Sequence, residues 1–142
     1  MNLILFFAML MNFSFSGLET DLIHEINKER EAIGVSSLAI NWEVSRLARY
    51  RSEEMVELSF FGHSSRIYGE PDEMLMHFGV PFNSAGVNIA KGQETAREVL
   101  DAWLSSSAHS ENLLNANFTS AGVGIAYNDG LPYWTLFLIS SA

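Results

Sequence analysis

The chain has 142 residues, 48% of them apolar, which is enough for one compact domain with its own core and too few for two. Seventeen acidic against eight basic side chains leave a formal net charge of -9, which repels phosphate backbones and argues against nucleic acid as a partner. Cysteine is absent, so a disulfide framework, a thiolate metal cluster and a thiol nucleophile are excluded, and stability must come from packing.

The first sixteen residues, MNLILFFAMLMNFSFS, carry no charged side chain and hold an apolar run too short to cross a bilayer as a mature helix. Ser14 and Ser16 place small side chains where a signal peptidase reads, so residues 1–16 are expected to be a cleaved export signal, although no Lys or Arg precedes the apolar run. The other readings are an artificially truncated start or a first helix packed on the domain. The remaining residues 17–142 show no repeat and no linker, and are expected to form a single domain without a stable membrane span.

Leu18, Leu22, Ile23 and Ile26 recur at helical spacing in a segment that stops near Gly34. A second helix follows the N-cap Asn41 and aligns Val44, Leu47, Ala48, Met55 and Leu58. A short helix is predicted from Pro71 to Phe78, and another opens on the capping box Thr95–Glu98 and buries Val99, Leu100 and Trp103. Strands are predicted over 85–90, 121–127 and 133–139, the last two joined by the Asn128-Asp129-Gly130 turn. Along 133–139 both alternate faces are apolar, so the strand must be covered on both sides. The expected fold class is α+β: a three-layer α-β-α sandwich around a small, mainly antiparallel sheet.

The ordered set INKER, FFGHSS, AGVNIAKG, AWLSSSAHSENLLNANFTSAGVG and YWTLFLIS, spread over 18–139, resembles the CAP superfamily of cysteine-rich secretory, antigen and pathogenesis-related proteins, in its bacterial form. The resemblance implies secretion and a cleft in which two histidines and two acids converge. Family members have been linked to sterols or other lipids, to surface partners and to unproven proteolysis. By this likeness His63 and His109 are the two histidines, Asn88 keeps its place, and Tyr68 and Trp103 are candidate walls. Val87 stands where the first acid is expected and Ser106 where the second falls, leaving Glu70 and Glu111 as the nearest replacements.

Two imidazoles alone make a poor zinc site, since zinc takes four donors and usually three from the protein. No cofactor is therefore expected; a divalent metal such as zinc would be weakly held, with His63 and His109 as its donors. The expected function is a secreted binding or interaction module whose His63–Asn88–Ser106–His109 cleft takes an extracellular or cell-envelope ligand, lipid or protein. The alternative is a secreted protease- or esterase-like hydrolase using His63 and His109, with Ser64, Ser65 or Ser105 to Ser107 beside them. That alternative lacks a G-x-S-x-G elbow and an evident aspartate. His24 and His77 lie outside the motifs and read as surface or capping residues.

Overall fold

In the computed structural model of the chain, residues 17–141 are described; the expected export segment lies outside the described residues. Helices α1 (Gly17–Ala32) and α2 (Trp42–Glu57) flank a short strand, β1 (Ala39–Ile40). Helix α3 (Pro71–His77) leads to β2 (Ala85–Lys91), then come α4 (Ala96–Leu104) and α5 (Ser107–Leu114), and β3 (Ser120–Asn128) and β4 (Leu131–Ile139) close the fold. The sheet order is β1-β3-β4-β2, with β1 parallel to β3 and the other two pairings antiparallel. The β3–β4 turn has Asp129 and Gly130 both at positive φ, 50° and 82°, the backbone that a two-residue hairpin with Asn-Asp-Gly chemistry favours.

The doubly apolar β4 is covered on both sides. Trp134, Leu136 and Leu138 join Leu22, Ile23 and Ile26 of α1 and Val99, Leu100 and Trp103 of α4 in one core. Phe137 and Ile139 face the other way, onto Val44, Leu47 and Ala48 of α2 and Met74 and Leu75 of α3. The layers are thus α1, α4 and α5 on one face and α2 and α3 on the other. Among the described residues no helix is long and apolar enough to cross a membrane.

Two elements go beyond the sequence expectation. Strand β1 is only two residues long and exists through its pairing with Ser120 and Ala121, a partner that no local pattern reveals. Helix α5 buries only Leu113 fully, so it lacks the apolar stripe that would announce it and depends on tertiary contacts. The expected capping box of α4 is half formed. Thr95 accepts from the Glu98 amide at 3.2 Å, but Glu98 reaches the Glu94 amide at 2.9 Å. The full reciprocal box is on α3, between Glu70 and Glu73.

Helix α2 lies directly on β3 because the strand presents glycine there. A Cβ on Gly122 would strike the Ser45 backbone, and one on Gly124 the Arg49 backbone. The contact is locked by the Ser52 hydroxyl, 2.8 Å from both the Gly124 carbonyl and the Thr135 hydroxyl. Since helix backbone cannot yield as a side-chain tip can, Gly124→Ala is expected to lower stability by roughly 3 kcal/mol or more in urea unfolding. Gly62→Ala, whose Cβ would meet only the Phe60 ring at 3.6 Å, is expected to stay within about 0.5 kcal/mol of the parent.

Candidate functional site

His63 is carried by the loop between α2 and α3, and that loop is anchored to a buried ion pair. Arg51 and Glu54, one turn apart on the inner side of α2, are 1% and 6% exposed and approach to 3.4 Å. Arg51 also donates to the Gly62 carbonyl, immediately before His63, at 2.5 Å. Glu54 accepts from the Ser65 hydroxyl at 2.7 Å and from the Arg66 amide at 2.6 Å. The Ser65 oxygen then accepts from the Ile67 and Tyr68 amides, at 3.1 and 2.8 Å. A buried pair is tolerable only when its remaining donors and acceptors are answered, and here the loop backbone answers them.

His109 is the third residue of α5, three positions after its N-cap Ser106. Asn88, fully buried on β2, donates to the His109 carbonyl at 3.1 Å and accepts from the Asn112 side chain at 2.9 Å. Asn112 also reaches the Val87 carbonyl at 3.4 Å, while the Trp103 indole donates to the Ile89 carbonyl at 2.9 Å. Strand β2 is an edge of the sheet, so these bonds from α4 and α5 satisfy carbonyls that the sheet leaves open. The far end of α5 is held by Arg30, which is fully buried and donates to the carbonyls of Leu113, Asn115 and Phe118 at 2.8 to 3.0 Å. A cation there also complements the negative end of the helix.

These two anchorages bring the imidazoles together. The ring centroids of His63 and His109 are 5.9 Å apart and the planes differ by 24°. His63 is exposed and His109 half-buried. Partial burial of its ring lowers the proton affinity of His63, His109 and Arg51 lower it further, and Glu70 alone pulls the other way.

Among the described residues, acidic side chains do not complete a ligand set. Val87 is 7% exposed and packs with Met55, Ile89, Tyr133 and Phe60. Glu70 is occupied by the Ser64 hydroxyl at 2.6 Å and by the cap of α3. Glu111 is exposed and lies two positions beyond His109 in a helix, which turns it away from that ring. Among the described residues no three His, Cys, Asp or Glu side chains converge to hold a metal ion.

The two wall candidates have other positions. Trp103 is 2% exposed, so it supports β2 from within the core and is no surface wall, because its large ring completes the α1–α4–β4 packing. The Tyr68 ring packs on His77 and Phe78, with centroids 4.8 and 5.0 Å away, and belongs to the α2–α3 cluster. The hydroxyls of Ser64, Ser65 and Ser105 donate to Glu70, Glu54 and the Ala102 carbonyl, so none of these three is presented to an imidazole as a nucleophile.

Arg30, Arg51, Glu54 and Asn112 lie outside the expected site residues, yet they position both imidazoles. A signal for the two arginines was present: Arg30 continues the Leu22–Ile26 row and Arg51 the Val44–Leu47–Ala48 row, each a charge on a buried stripe. Replacing His109 by Gln removes one of the groups that oppose protonation of His63, so the His63 pKa, followed by NMR, is expected to rise. In the parent protein the folded state holds that proton less readily than the unfolded state, so this group's contribution to stability grows as pH rises through its titration and is lost on acidification.

The sequence matches the family described as CAP, the cysteine-rich secretory protein family, over residues 23–139. The Bacillus subtilis protein YkwD is 41% identical over 122 residues, 86% of this chain and 47% of that protein, so the chain spans about half the length of that relative. An extracellular SCP-domain protein of Bacillus anthracis superimposes with a TM-score of 0.81 at 30% identity, covering 88% of this chain and 41% of the other. An outer surface protein of Borrelia burgdorferi shares the fold, with a TM-score of 0.79 at 22% identity over 87% of this chain and 92% of the other. With most of its length matched and each family segment found in a defined structural role, the chain belongs to the CAP family.

Proposed function

We propose that this CAP domain acts outside the cytoplasm as a binding module and takes an extracellular or cell-envelope ligand on the surface between His63 and His109. One observation carries the reading: two imidazoles at the surface, 5.9 Å apart, are each positioned by a separate buried polar network, although neither ring contributes to the core. Such investment in placing partly exposed groups is characteristic of sites, where geometry matters more than the local burial of the side chain. Export is supported by the family and by the extracellular and outer-surface descriptions of the similar Bacillus anthracis and Borrelia proteins.

Metal plays no stoichiometric part in this proposal, because among the described residues the donor set around His63 and His109 stops at the two imidazoles, with Val87 in the apolar cluster. The hydrolase alternative has less support, since Ser64, Ser65 and Ser105 donate elsewhere. Nucleic acid is disfavoured by the net charge of -9.

Replacing His63 and His109 together by alanine is expected to leave cooperative unfolding within about 1 kcal/mol of the parent, because these side chains are not core residues. Retention of the variant on isolated bacterial cell envelopes should be lost. Unchanged retention by a folded double variant would contradict the proposal, and turnover of ester or peptide substrates abolished by His109→Ala would place the hydrolase first.

A further inference from the structure

The groups around His63 and His109 are two imidazoles, a guanidinium whose charge is shared with Glu54, and a serine hydroxyl. His63 and His109 bring imidazole nitrogens, and Arg51 is tied to the carbonyl immediately before His63. Ser106 opens α5 without a side-chain cap bond, three residues before His109. The positions that would have supplied carboxylates hold valine and serine, and Glu70 is already engaged by Ser64 and the α3 cap.

Spacing adds to this. Rings whose centroids are 5.9 Å apart are beyond face-to-face contact, which needs about 3.5–4.0 Å between carbon atoms. Because each ring N–H lies in its ring plane and the planes differ by only 24°, an oxygen that accepts from both rings sits at their common edge and not between their faces, at ordinary charge-assisted distances of about 2.7–2.9 Å. A metal ion would need further donors that the described residues do not bring together.

Resting on the binding surface proposed above, we propose that the group recognised between His63 and His109 is an oxyanion, a carboxylate or phosphate monoester, and that Val87 in place of an acid sets this preference. The anion arrives with a proton from solvent, which charges an imidazole and turns its ring nitrogen into a charge-assisted donor. The positive charge around His63 favours the anion locally although the chain as a whole carries -9, and the anion's own charge offsets the opposition of His109 and Arg51 to protonation of His63. From α2, Arg51 faces the loop with its charge shared with Glu54; from α5 comes His109, with Glu111 turned away; β2 contributes the uncharged Val87 and Asn88; Glu70 is the carboxylate that acts on His63. In the field at His63, the second imidazole and Arg51 each outweigh Glu70.

The test is an NMR titration of both imidazoles with methyl phosphate and with acetate, with zinc ion and glycerol in parallel. Both anions are expected to shift both rings saturably, with affinity weakening about tenfold for each pH unit above the imidazole range. His63→Gln and His109→Gln should each weaken binding by about tenfold or more, in line with loss of one charge-assisted hydrogen bond. Val87→Glu should weaken anion binding as well, and Ser106→Asp, an exchange that suits an N-cap, should do the same and keeps the test open if Val87→Glu fails to fold in its apolar surroundings.

Phosphatidylcholine vesicles containing phosphatidic acid separate the sources. Binding that methyl phosphate displaces assigns a lipid headgroup, while response to the soluble anions alone assigns a soluble ligand, and either supports the oxyanion. Zinc binding that depends on His63, with no response to either anion, would overturn the inference and leave the His63–His109 surface as the site. Silence of both rings toward anions and zinc would also overturn it, and the broader reading falls with it only if envelope retention proves independent of the histidines.

Discussion

The site depends on a backbone-to-backbone contact. Gly122 and Gly124 let α2 rest on β3 with no side chain between them, and the Ser52 hydroxyl fixes the register against Gly124 and Thr135. That register places the neighbouring Arg51 and Glu54 beneath the loop that carries His63. A helix lifted by one methyl layer would move the ion pair, and with it the carbonyl and amides that the pair holds. The position of an exposed imidazole is therefore set by two glycines on a buried strand.

His109 is placed by an independent route. Arg30 ties α1 to the end of α5, and Asn88 ties α5 to the edge strand, so the second imidazole is referred to the opposite layer of the sandwich. Two faces of one sheet thus each deliver a ring to its β2 edge. The family segments divide accordingly. In INKER, Asn27 pairs with the backbone of Leu38 and Arg30 holds α5, while the SAGVG segment supplies the glycines under α2.

Much of this was legible because it is local. Helical spacing marked α1 and α2, the Asn41 cap was visible as a residue type, and the two apolar faces of β4 required layers on both sides. What stayed hidden is non-local. Strand β1 exists only through β3, and α5 is a helix because Asn88, Asn112 and Arg30 hold it. Trp103 looked like a wall because it belongs to the same segment as His109, yet it lies on the inner side of α4, and Tyr68 follows the His63 loop but turns toward α3. Val87 and Ser106 are legible in the sequence as residue types; that Val87 belongs to an apolar cluster with Met55 and Tyr133 needed the packing.

The buried Arg51–Glu54 pair is what holds His63 against His109, and a nuclear Overhauser contact between the two imidazole rings measures this most directly. It is compared in the parent and in a Glu54→Gln variant whose sheet contacts are intact. The contact should be present in the parent and lost or strongly weakened in the variant, because the amide side chain gives up the charge that binds Arg51 and the Ser65–Arg66 turn. Absence of the ring contact in the parent, or its full persistence in the variant, would contradict the role of the pair.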